Sequence, residues 1–132
     1  AIVDKRRPKP NSAEVMNLIG DVKDKNCVII DDMVDTAGTL AIVVDKLMEQ
    51  GAKSVYACCS HALLSGNACD KLDRTQLKEL VITNSVRLPD EKKEKYPWIK
   101  QLSIATLLAR GIMNIVDDKP VSDLFTYTKE EL

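Results

Sequence analysis

The distribution of apolar residues divides the middle of the chain into strands and helices. Residues 27–31 (CVIID) form a continuous, mostly β-branched run, which is typical of a strand buried on both faces of a sheet. Residues 39–51 (TLAIVVDKLMEQG) change to helical spacing and end at a glycine, a frequent C-terminal cap. Residues 54–59 and 77–85 predict two further strands. The pattern therefore predicts strands separated by helical segments.

The N-terminal part of the chain has no clear period. Residues 4–12 (DKRRPKPNS) contain two prolines, one asparagine and four cations. Each proline lacks an N–H donor and restricts the residue before it, so this segment is predicted to be an irregular, mobile and strongly basic loop. Residues 13–19 (AEVMNLI) fit a short helix by their apolar spacing and a strand by their alternation. Both interpretations stay open for that segment.

The second half of the chain continues the alternation. A short helix is predicted to begin near Ser65, and residues 90–98 (DEKKEKYPW) are a charge run predicted to be a solvated loop. Residues 99–104 predict a short strand, residues 103–116 a last amphipathic helix, and residues 121–125 (VSDLF) the closing segment. Strands and helices at this spacing predict an α/β fold, with a parallel sheet and helices on both faces.

Composition and charge exclude several function classes. The chain has 132 residues, 45% of them hydrophobic and 30% charged, which suits one compact soluble domain or most of one. Its net charge of -1 produces no general field that would attract nucleic acid or a membrane surface. No apolar run approaches the roughly 18–20 residues needed to span a bilayer. We therefore expect a cytoplasmic protein without nucleic-acid or membrane partners.

The cysteines and the first residues indicate the redox state of the thiols and the extent of the chain. Cys27, Cys58, Cys59 and Cys69 contain no CxxC pair, so buried reduced thiols are expected rather than a zinc site. The chain begins Ala-Ile-Val-Asp, without methionine, like a strand already under way. We expect it to be a piece of a longer polypeptide that is cut near a domain boundary.

The stretch VIIDDMVDTAGTL, at residues 28–40, carries the candidate chemistry. In open α/β sheets, ligands bind at the carboxyl ends of the strands, where Asp31 and Asp32 are predicted to lie between strand and helix. The small residues that follow let backbone N–H groups approach an anion, and the helix N-terminus adds roughly +0.5 of dipole charge. Gly38 is expected to supply a positive φ. The predicted phosphate loop comprises Asp35, Thr36, Ala37, Gly38 and Thr39.

The aspartates indicate what else the ligand carries. Carboxylates repel a phosphate but are strong acceptors for vicinal hydroxyl groups. The ligand should therefore have a phosphate at one end and a diol nearby, and ribose 5-phosphate fits that description. Neither a GxxxxGK[ST] phosphate loop nor a GxGxxG dinucleotide motif occurs in the sequence.

At these residues the chain resembles known families. VIIDDMVDTAGT resembles the phosphoribosyl-diphosphate (PRPP) binding motif of the type I phosphoribosyltransferase fold, which is shared by transferases that consume PRPP and by the synthetase that makes it. The segments DKRRPKPN, EVMNLIGDVK, SHALLSGNA, LVITNSV and VSDLF all resemble the ribose-phosphate pyrophosphokinase (PRPP synthetase) family. The resemblance runs from residue 1 to Phe125 and covers the C-terminal one of that family's two similar domains. Ser60 and Asn67 stand where the family commonly has Thr and Pro.

The resemblance implies an activity and roles for individual residues. The family transfers pyrophosphate from MgATP to ribose 5-phosphate, giving PRPP and AMP. By resemblance, Lys5 and Arg7 are the catalytic loop cations, and residues 35–39 hold the 5-phosphate. Asp31 and Asp32 hold the ribose hydroxyls, directly or through a cation. The Mg²⁺ ligands and most of the ATP site lie upstream, so no metal site is expected in this chain.

The resemblance also implies regulation and assembly. Ser122 matches a segment near a regulatory phosphate or ADP site between subunits, and the family forms homo-oligomers, hexamers built of dimers. Two alternatives stay open: a phosphoribosyltransferase that uses PRPP, and a non-catalytic regulatory subunit associated with the synthetase. The presence of Lys5 and Arg7 argues against the second. His61, the only histidine, fits either a general base or a structural or interface role.

Overall fold

The computed structural model describes residues 2–6 and 15–125, with side chains described from residue 20 onward. The chain divides into two compact units, residues 1–101 and residues 102–132. Each unit is described by itself. In the described part of the chain, no helix is both long enough and apolar enough to cross a bilayer.

The first unit begins with a β-hairpin. Strand β1 (Ile2–Arg6) pairs antiparallel with strand β2 (Val15–Ile19), from Ile2 opposite Ile19 to Arg6 opposite Val15. The expectation of an irregular loop from residue 4 is therefore wrong for residues 4–6, which belong to β1. The reason is that both prolines follow the strand, so they remove no donor from its ladder. The open segment 13–19 is a strand from residue 15 onward.

A four-stranded sheet forms the centre of the first unit. Its strands are β3 (Asn26–Val34), β4 (Ser54–Ala62), β5 (Leu77–Thr83) and β6 (Ile99–Leu102), in the order β3-β4-β5-β6. Strand β4 runs parallel to both β3 and β5. The α/β class and the parallel pairing predicted from the sequence are confirmed. Parallel pairing places the carboxyl ends of these three strands at one edge of the sheet.

Three helices accompany this sheet. Helix α1 (Gly38–Glu49) follows β3, α2 (Ala68–Asp73) follows β4, and α3 (Asp90–Lys95) follows β5. Helix α1 ends as predicted, because Gly51 adopts φ 84° and its N–H donates to the carbonyl of Met48 at 3.0 Å.

Helix α3 corrects the expectation that residues 90–98 form a solvated loop. Six residues of the charge run are helical, and Tyr96, directly after them, is buried. The charges are ordered along the helix, with Asp90 and Glu91 in the first turn and lysines in the last. That order complements the helix dipole, so the same residues that look like a solvated run stabilise a short helix.

The core of the first unit lies between α1 and one face of the sheet. Helix α1 contributes its apolar stripe, and strands β4 and β5 contribute every second residue, as the two periods require. The buried residues of these elements include Leu40, Val43, Val44, Leu47, Val55, Ala57, Cys59, Leu80 and Ile82.

Strand β3 is less buried than its sequence suggested. Cys27 and Ile29 are half-buried against the core, but Val28 and Ile30 on the opposite face are 59% and 83% exposed. The expectation that residues 27–31 are buried on both faces is therefore wrong in this structure. A β-branched run favours a strand whichever face is covered, so the run alone cannot report burial.

The second unit consists of helix α4 (Ala105–Val116) and a short 3₁₀-helix (Val121–Phe125). The Asn114 side-chain amide donates to the carbonyl of Pro120 at 3.0 Å, and the backbone N–H of Lys119 donates to Asn114 at 2.7 Å. Gly111 faces Leu124, whose Cδ1 would be 3.4 Å from an added Cβ. Ser122 lies in the 3₁₀-helix and is exposed.

Candidate functional site

A cavity of about 310 Å³ opens where β3 passes into α1. It lies at the carboxyl end of a parallel strand, the position where ligands bind in open α/β sheets. The structure brings six of the predicted substrate-binding residues together around this cavity. The lining residues are Asp31, Met33, Val34, Asp35, Thr36, Ala37, Gly38, Thr39 and Leu40.

The two adjacent aspartates do not share one environment. Asp31 lines the cavity, whereas Asp32 does not. Both residues still belong to β3, which continues to Val34, so they lie within the strand and not between strand and helix as expected. Consecutive strand residues point to opposite faces, and this separates the two carboxylates. The backbone N–H of Asp32 donates to Asp31 Oδ1 at 2.9 Å, which fixes the Asp31 carboxylate.

A buried thiol lies beside these aspartates. Cys59 is the register partner of Asp31 on β4, and its Sγ donates to the carbonyl of Asp32 at 3.7 Å. Burial raises the pKa of the Cys59 thiol, and the neighbouring carboxylates raise it further. The group is therefore kept as a neutral thiol, which packs rather than reacts. All four cysteines of the chain are free.

The tight turn into α1 is made by Ala37 and not by Gly38. Ala37 adopts φ 58° and ψ 10°, the left-handed conformation, while Gly38 is not among the residues with positive φ. The expectation that Gly38 provides the positive φ is wrong. Gly38 has a different property, because an added Cβ would meet nothing within 4 Å. A side chain at this position would project into open space at the cavity.

The N-terminus of α1 has no side-chain cap. Ala37 is its N-cap residue, and alanine has no polar side chain that could make a capping hydrogen bond. The first turn also contains no acidic residue. The first N–H groups of a helix have no partner within it, and their dipole favours an anion. This end of α1 therefore suits a phosphate group better than a self-capped helix would.

Residues 35–39, which we call the cavity loop, are held by hydrogen bonds from the loop after β4. The backbone N–H groups of Leu63 and Leu64 donate to the carbonyl of Val34 at 2.9 and 3.1 Å, and Ser65 N–H donates to the carbonyl of Asp35 at 3.0 Å. Sequence reasoning missed these contacts. Backbone donors leave no signature in the sequence, so residues 63–65 could be found only as neighbours in space.

Lys71 continues this set of contacts. Its Nζ, carried on α2, donates to the carbonyl of Thr36 at 3.1 Å, and the residue is half-buried. The sequence analysis assigned no role to this lysine. A single cation in a short helix has no distinguishing pattern, and its partner is 35 residues away in the chain.

Helix α2 is itself tied to the segment that follows α3. The Tyr96 hydroxyl donates to Asp70 Oδ1 at 2.6 Å, and Lys95 Nζ lies 3.1 Å from the same oxygen. The Tyr96 hydrogen bond, together with Lys95, holds the pKa of the Asp70 carboxyl below its usual range. Lys92 adds a further tie by donating to the carbonyl of Leu64 at 2.7 Å. The cavity loop thus rests on a connected support.

His61 is held in a defined tautomer. The Ser85 hydroxyl donates to the carbonyl of Ser60 at 2.7 Å and lies 2.9 Å from His61 Nδ1. A hydroxyl has one hydrogen, so Nδ1 must donate to Ser85 and the neutral ring presents Nε2 as an acceptor. His61 is the register partner of Met33, which lines the cavity. The Nδ1 contact fixes the ring against Ser85, which is consistent with a structural role for His61.

The two predicted catalytic cations cannot be placed relative to the cavity, because the structure does not describe their side chains. Lys5 is in β1, opposite Met16, and only its backbone is described. Arg7 lies outside the described residues. Between residues 20 and 125, no group of three His, Cys, Asp or Glu side chains is arranged to hold a metal ion.

Comparison with known proteins shows the family to which the chain belongs. The family model described as "Phosphoribosyl synthetase-associated domain" matches residues 3–126. The chain is 50% identical over 127 residues to a ribose-phosphate pyrophosphokinase of Bacillus subtilis (strain 168), and 51% identical over 125 residues to one of Bacillus caldolyticus. These matches cover 96% and 95% of the chain but 39% of each relative, so the chain spans about two fifths of their length.

A solved structure shows the same fold. The crystal structure of phosphoribosylpyrophosphate synthetase from Mycobacterium smegmatis matches with a TM-score of 0.73 at 37% sequence identity. The match covers 80% of this chain and 34% of that protein.

Proposed function

Because the chain belongs to the phosphoribosyl synthetase-associated domain family, we propose that it forms the ribose-5-phosphate half of a ribose-phosphate pyrophosphokinase. Its proposed reaction transfers the pyrophosphoryl group of MgATP to the anomeric hydroxyl of ribose 5-phosphate. The products are PRPP and AMP, and PRPP feeds nucleotide biosynthesis. The relatives that bear this name at about half identity support the proposal.

One observation supports the substrate above the others. The cavity combines a carboxylate, Asp31, with an uncapped helix N-terminus and a loop of small residues. The loop and helix end favour a phosphate, and the carboxylate favours a hydroxyl donor. A sugar phosphate presents both groups a few ångströms apart. The 5-phosphate is proposed to lie against residues 35–39 and the ribose hydroxyls against Asp31. Asp32 is the second candidate for the hydroxyls, from the other face of β3.

The cations needed for transfer are proposed to come from the basic segment near the start of the chain. Charge accumulates on the transferring phosphates, so the transition state needs positive groups that close over it. Lys5 and Arg7 are proposed to fill that role, since Arg offers a bidentate fork and Lys a point charge. Among the residues whose side chains are described, no group of three His, Cys, Asp or Glu side chains is arranged to hold a metal ion. Ligands for the metal of MgATP are proposed to lie in a part of the enzyme that this chain does not include.

Regulation and assembly are proposed at a coarser level. Ser122 is exposed in the 3₁₀-helix, where a hydroxyl can donate to a phosphate. We propose that it contributes to a site for phosphate or ADP, in a cytoplasmic homo-oligomer such as a hexamer built of dimers.

A direct assay separates this function from its alternatives. The intact protein that carries this chain is incubated with ATP, Mg²⁺ and ribose 5-phosphate, and AMP and PRPP are quantified. Equal formation of both products is expected, with none when ribose replaces ribose 5-phosphate. Nucleotide formation from PRPP and a free base, without AMP release from ATP, would identify a phosphoribosyltransferase instead. Inactivity alone, together with an altered rate of an active synthetase, would identify a regulatory subunit.

A further inference from the structure

We infer that Lys71 is a positioning residue for the anion site. It orients and polarises the peptide bond whose N–H faces the ligand. This inference deepens the proposed function, because it assumes that a phosphate group occupies the cavity loop. Lys71 does not line the cavity, and its effect is exerted through the backbone of Thr36.

Three consecutive carbonyl groups, at Val34 and the first two residues of the cavity loop, point towards one support. Those of Val34 and Asp35 accept hydrogen bonds from the backbone of residues 63–65, and that of Thr36 accepts one from Lys71. The chain contains no cis peptide bond among its described residues. In a trans peptide, the N–H points opposite to the C=O. The N–H groups of Asp35, Thr36 and Ala37 are therefore directed away from the support.

These N–H groups belong to residues that line the cavity. Asp35, Thr36 and Ala37 all lie on its wall, and Ala37 adopts the left-handed conformation directly before α1. Successive backbone N–H groups around a left-handed residue form a concave anion-binding nest. Satisfying the carbonyls on one side thus leaves the amides of the same peptides for a ligand on the other.

Lys71 differs from the other two contacts because it carries charge. Among the residues whose side chains are described, the cavity wall contains the carboxylates of Asp31 and Asp35 and no lysine or arginine. A phosphate dianion placed there meets repulsion from both carboxylates. A cation hydrogen-bonded to the Thr36 carbonyl polarises that peptide and strengthens the donor on its far side. The charge therefore favours the bound anion without occupying the cavity.

The contacts around Lys71 favour its hydrogen bond to the Thr36 carbonyl. Asp70, the residue before Lys71 in the sequence, is already bound by Tyr96 and Lys95. Those two bonds hold α2 in place, so the Lys71 side chain extends from an anchored helix. An anchored donor loses less conformational entropy on making its bond than a free surface lysine does.

The test compares three variants of the intact protein that carries this chain. Lys71→Met removes the charge and the donor but keeps the length of the side chain. Lys71→Arg keeps both. Lys25→Met is the matched control, because Lys25 also donates to a backbone carbonyl, that of Asp21, before the opposite end of β3. Affinity for ribose 5-phosphate is measured by titration calorimetry at low and at high salt.

We expect Lys71→Met to bind ribose 5-phosphate about tenfold more weakly, which corresponds to about 1.4 kcal/mol. Its affinity should also depend less on salt, since a screened charge has been removed. In kinetics, KM should rise while kcat stays nearly constant, because the phosphate end is remote from the reacting hydroxyl. Lys71→Arg should restore binding, and Lys25→Met should match the unaltered protein.

Amide hydrogen exchange at residues 35–39 separates this inference from the function it rests on. Faster exchange in Lys71→Met alone, with affinity lost, supports the inference. Unchanged exchange and unchanged affinity in a protein that binds ribose 5-phosphate overturns the inference and leaves the proposed function intact. If the unaltered protein binds no ribose 5-phosphate, the function fails. Faster exchange would then still establish Lys71 as a positioning residue of the loop, and unchanged exchange would overturn that as well.

Discussion

The loop after β3 and the loop after β4 leave the same edge of the sheet but use their backbones in opposite ways. In the first, Val34 and Asp35 present carbonyl groups to the second loop, and residues 35–39 face a cavity. In the second, residues 63–65 present their N–H groups to the first, and Leu64 is fully buried. The first loop, the site loop, is the proposed binding site, and the second, the scaffold loop, supports it through backbone hydrogen bonds. In the first loop, the carbonyl groups of Val34 and Asp35 are satisfied by the second loop, and the cavity lies beside the same residues.

The two loops share one backbone feature, a left-handed residue that is not glycine. Ala37 in the site loop has φ 58°, and Leu64 in the scaffold loop has φ 49°. Neither is a glycine, so both conformations are held by their surroundings against an intrinsic cost. Both residues are buried in the same hydrophobic core, and hydrogen bonds to the carbonyls of Val34, Asp35 and Thr36 also fix the chain just before Ala37.

The largest expected effect concerns residues outside both loops. If the loops bind substrate and the cations of the basic segment act in the transition state, Lys5→Ala and Arg7→Ala should lower kcat far more than they raise KM. By analogy with oxyanion donors, each loss should cost about 3–4 kcal/mol, or roughly 10²–10³ in rate. Steady-state kinetics of the intact enzyme measures this. Lys9→Ala, in the same basic segment, is the control and should be nearly silent. Near-normal kcat in all three variants would make the segment a simple connection.

The next effect tests the scaffold loop. Leu64→Ala removes a side chain that is 0% exposed and leaves a cavity in the core, so the free energy of unfolding should fall by about 3 kcal/mol. Urea unfolding measures the loss. Leu63→Ala, at a neighbouring side chain that is 42% exposed, should cost under about 1 kcal/mol. Similar costs for the two variants would mean that the loop is not anchored through Leu64.

A pair of glycine variants should separate binding from stability. Gly38→Val adds a side chain where nothing lies within 4 Å, so the fold should tolerate it while the ligand meets it. Affinity for ribose 5-phosphate should fall more than about tenfold, since the added group occupies the ligand's space. Gly51→Ala should do the reverse, because Gly51 has φ 84° and lies at the far end of α1. It should lower stability by about 1 kcal/mol and leave affinity unchanged. Calorimetry and urea unfolding provide both readouts, and unaltered affinity in Gly38→Val would remove the cavity loop from the binding site.

The smallest effect is a dependence of scaffold stability on pH. The pKa of Asp70 is lowered in the folded state by Tyr96 and Lys95, so its contribution to stability is present above the unfolded pKa near 3.8. That contribution is lost as the pH falls through the lower folded value. Asp70→Asn should therefore remove a small part of the acid-induced loss of stability below about pH 4. Thermal unfolding measured across this range detects the change. A variant whose acid profile superimposes on that of the unaltered protein would show that the pair does not support α2.

Local patterns in the sequence predicted most of the secondary structure. The β-branched run before Asp31 is a strand, the helical spacing from Thr39 is a helix, and Gly51 caps its end as predicted. Each of these signals lies within a few residues of the structure it specifies. The two wrong predictions of secondary structure were made from charge or proline content and not from periodicity. Residues 90–95 form a helix because their charges are ordered, and residues 4–6 form a strand because the prolines come later.

The candidate site also has features that local sequence determined and others that only the tertiary structure decided. The sequence by itself determined which residues form the loop after β3, because carboxylates, small residues and the start of a helix are consecutive there. Only the tertiary structure decided that Asp31 faces the cavity and Asp32 does not, and that Ala37 makes the turn. It also decided that Lys71 and residues 63–65 hold the loop. The physical reason is the separation along the sequence. Periodicity and motifs depend on residues that are close together in the chain. These contacts instead join distant residues, which meet only when parallel strands bring their carboxyl ends to one edge of the sheet.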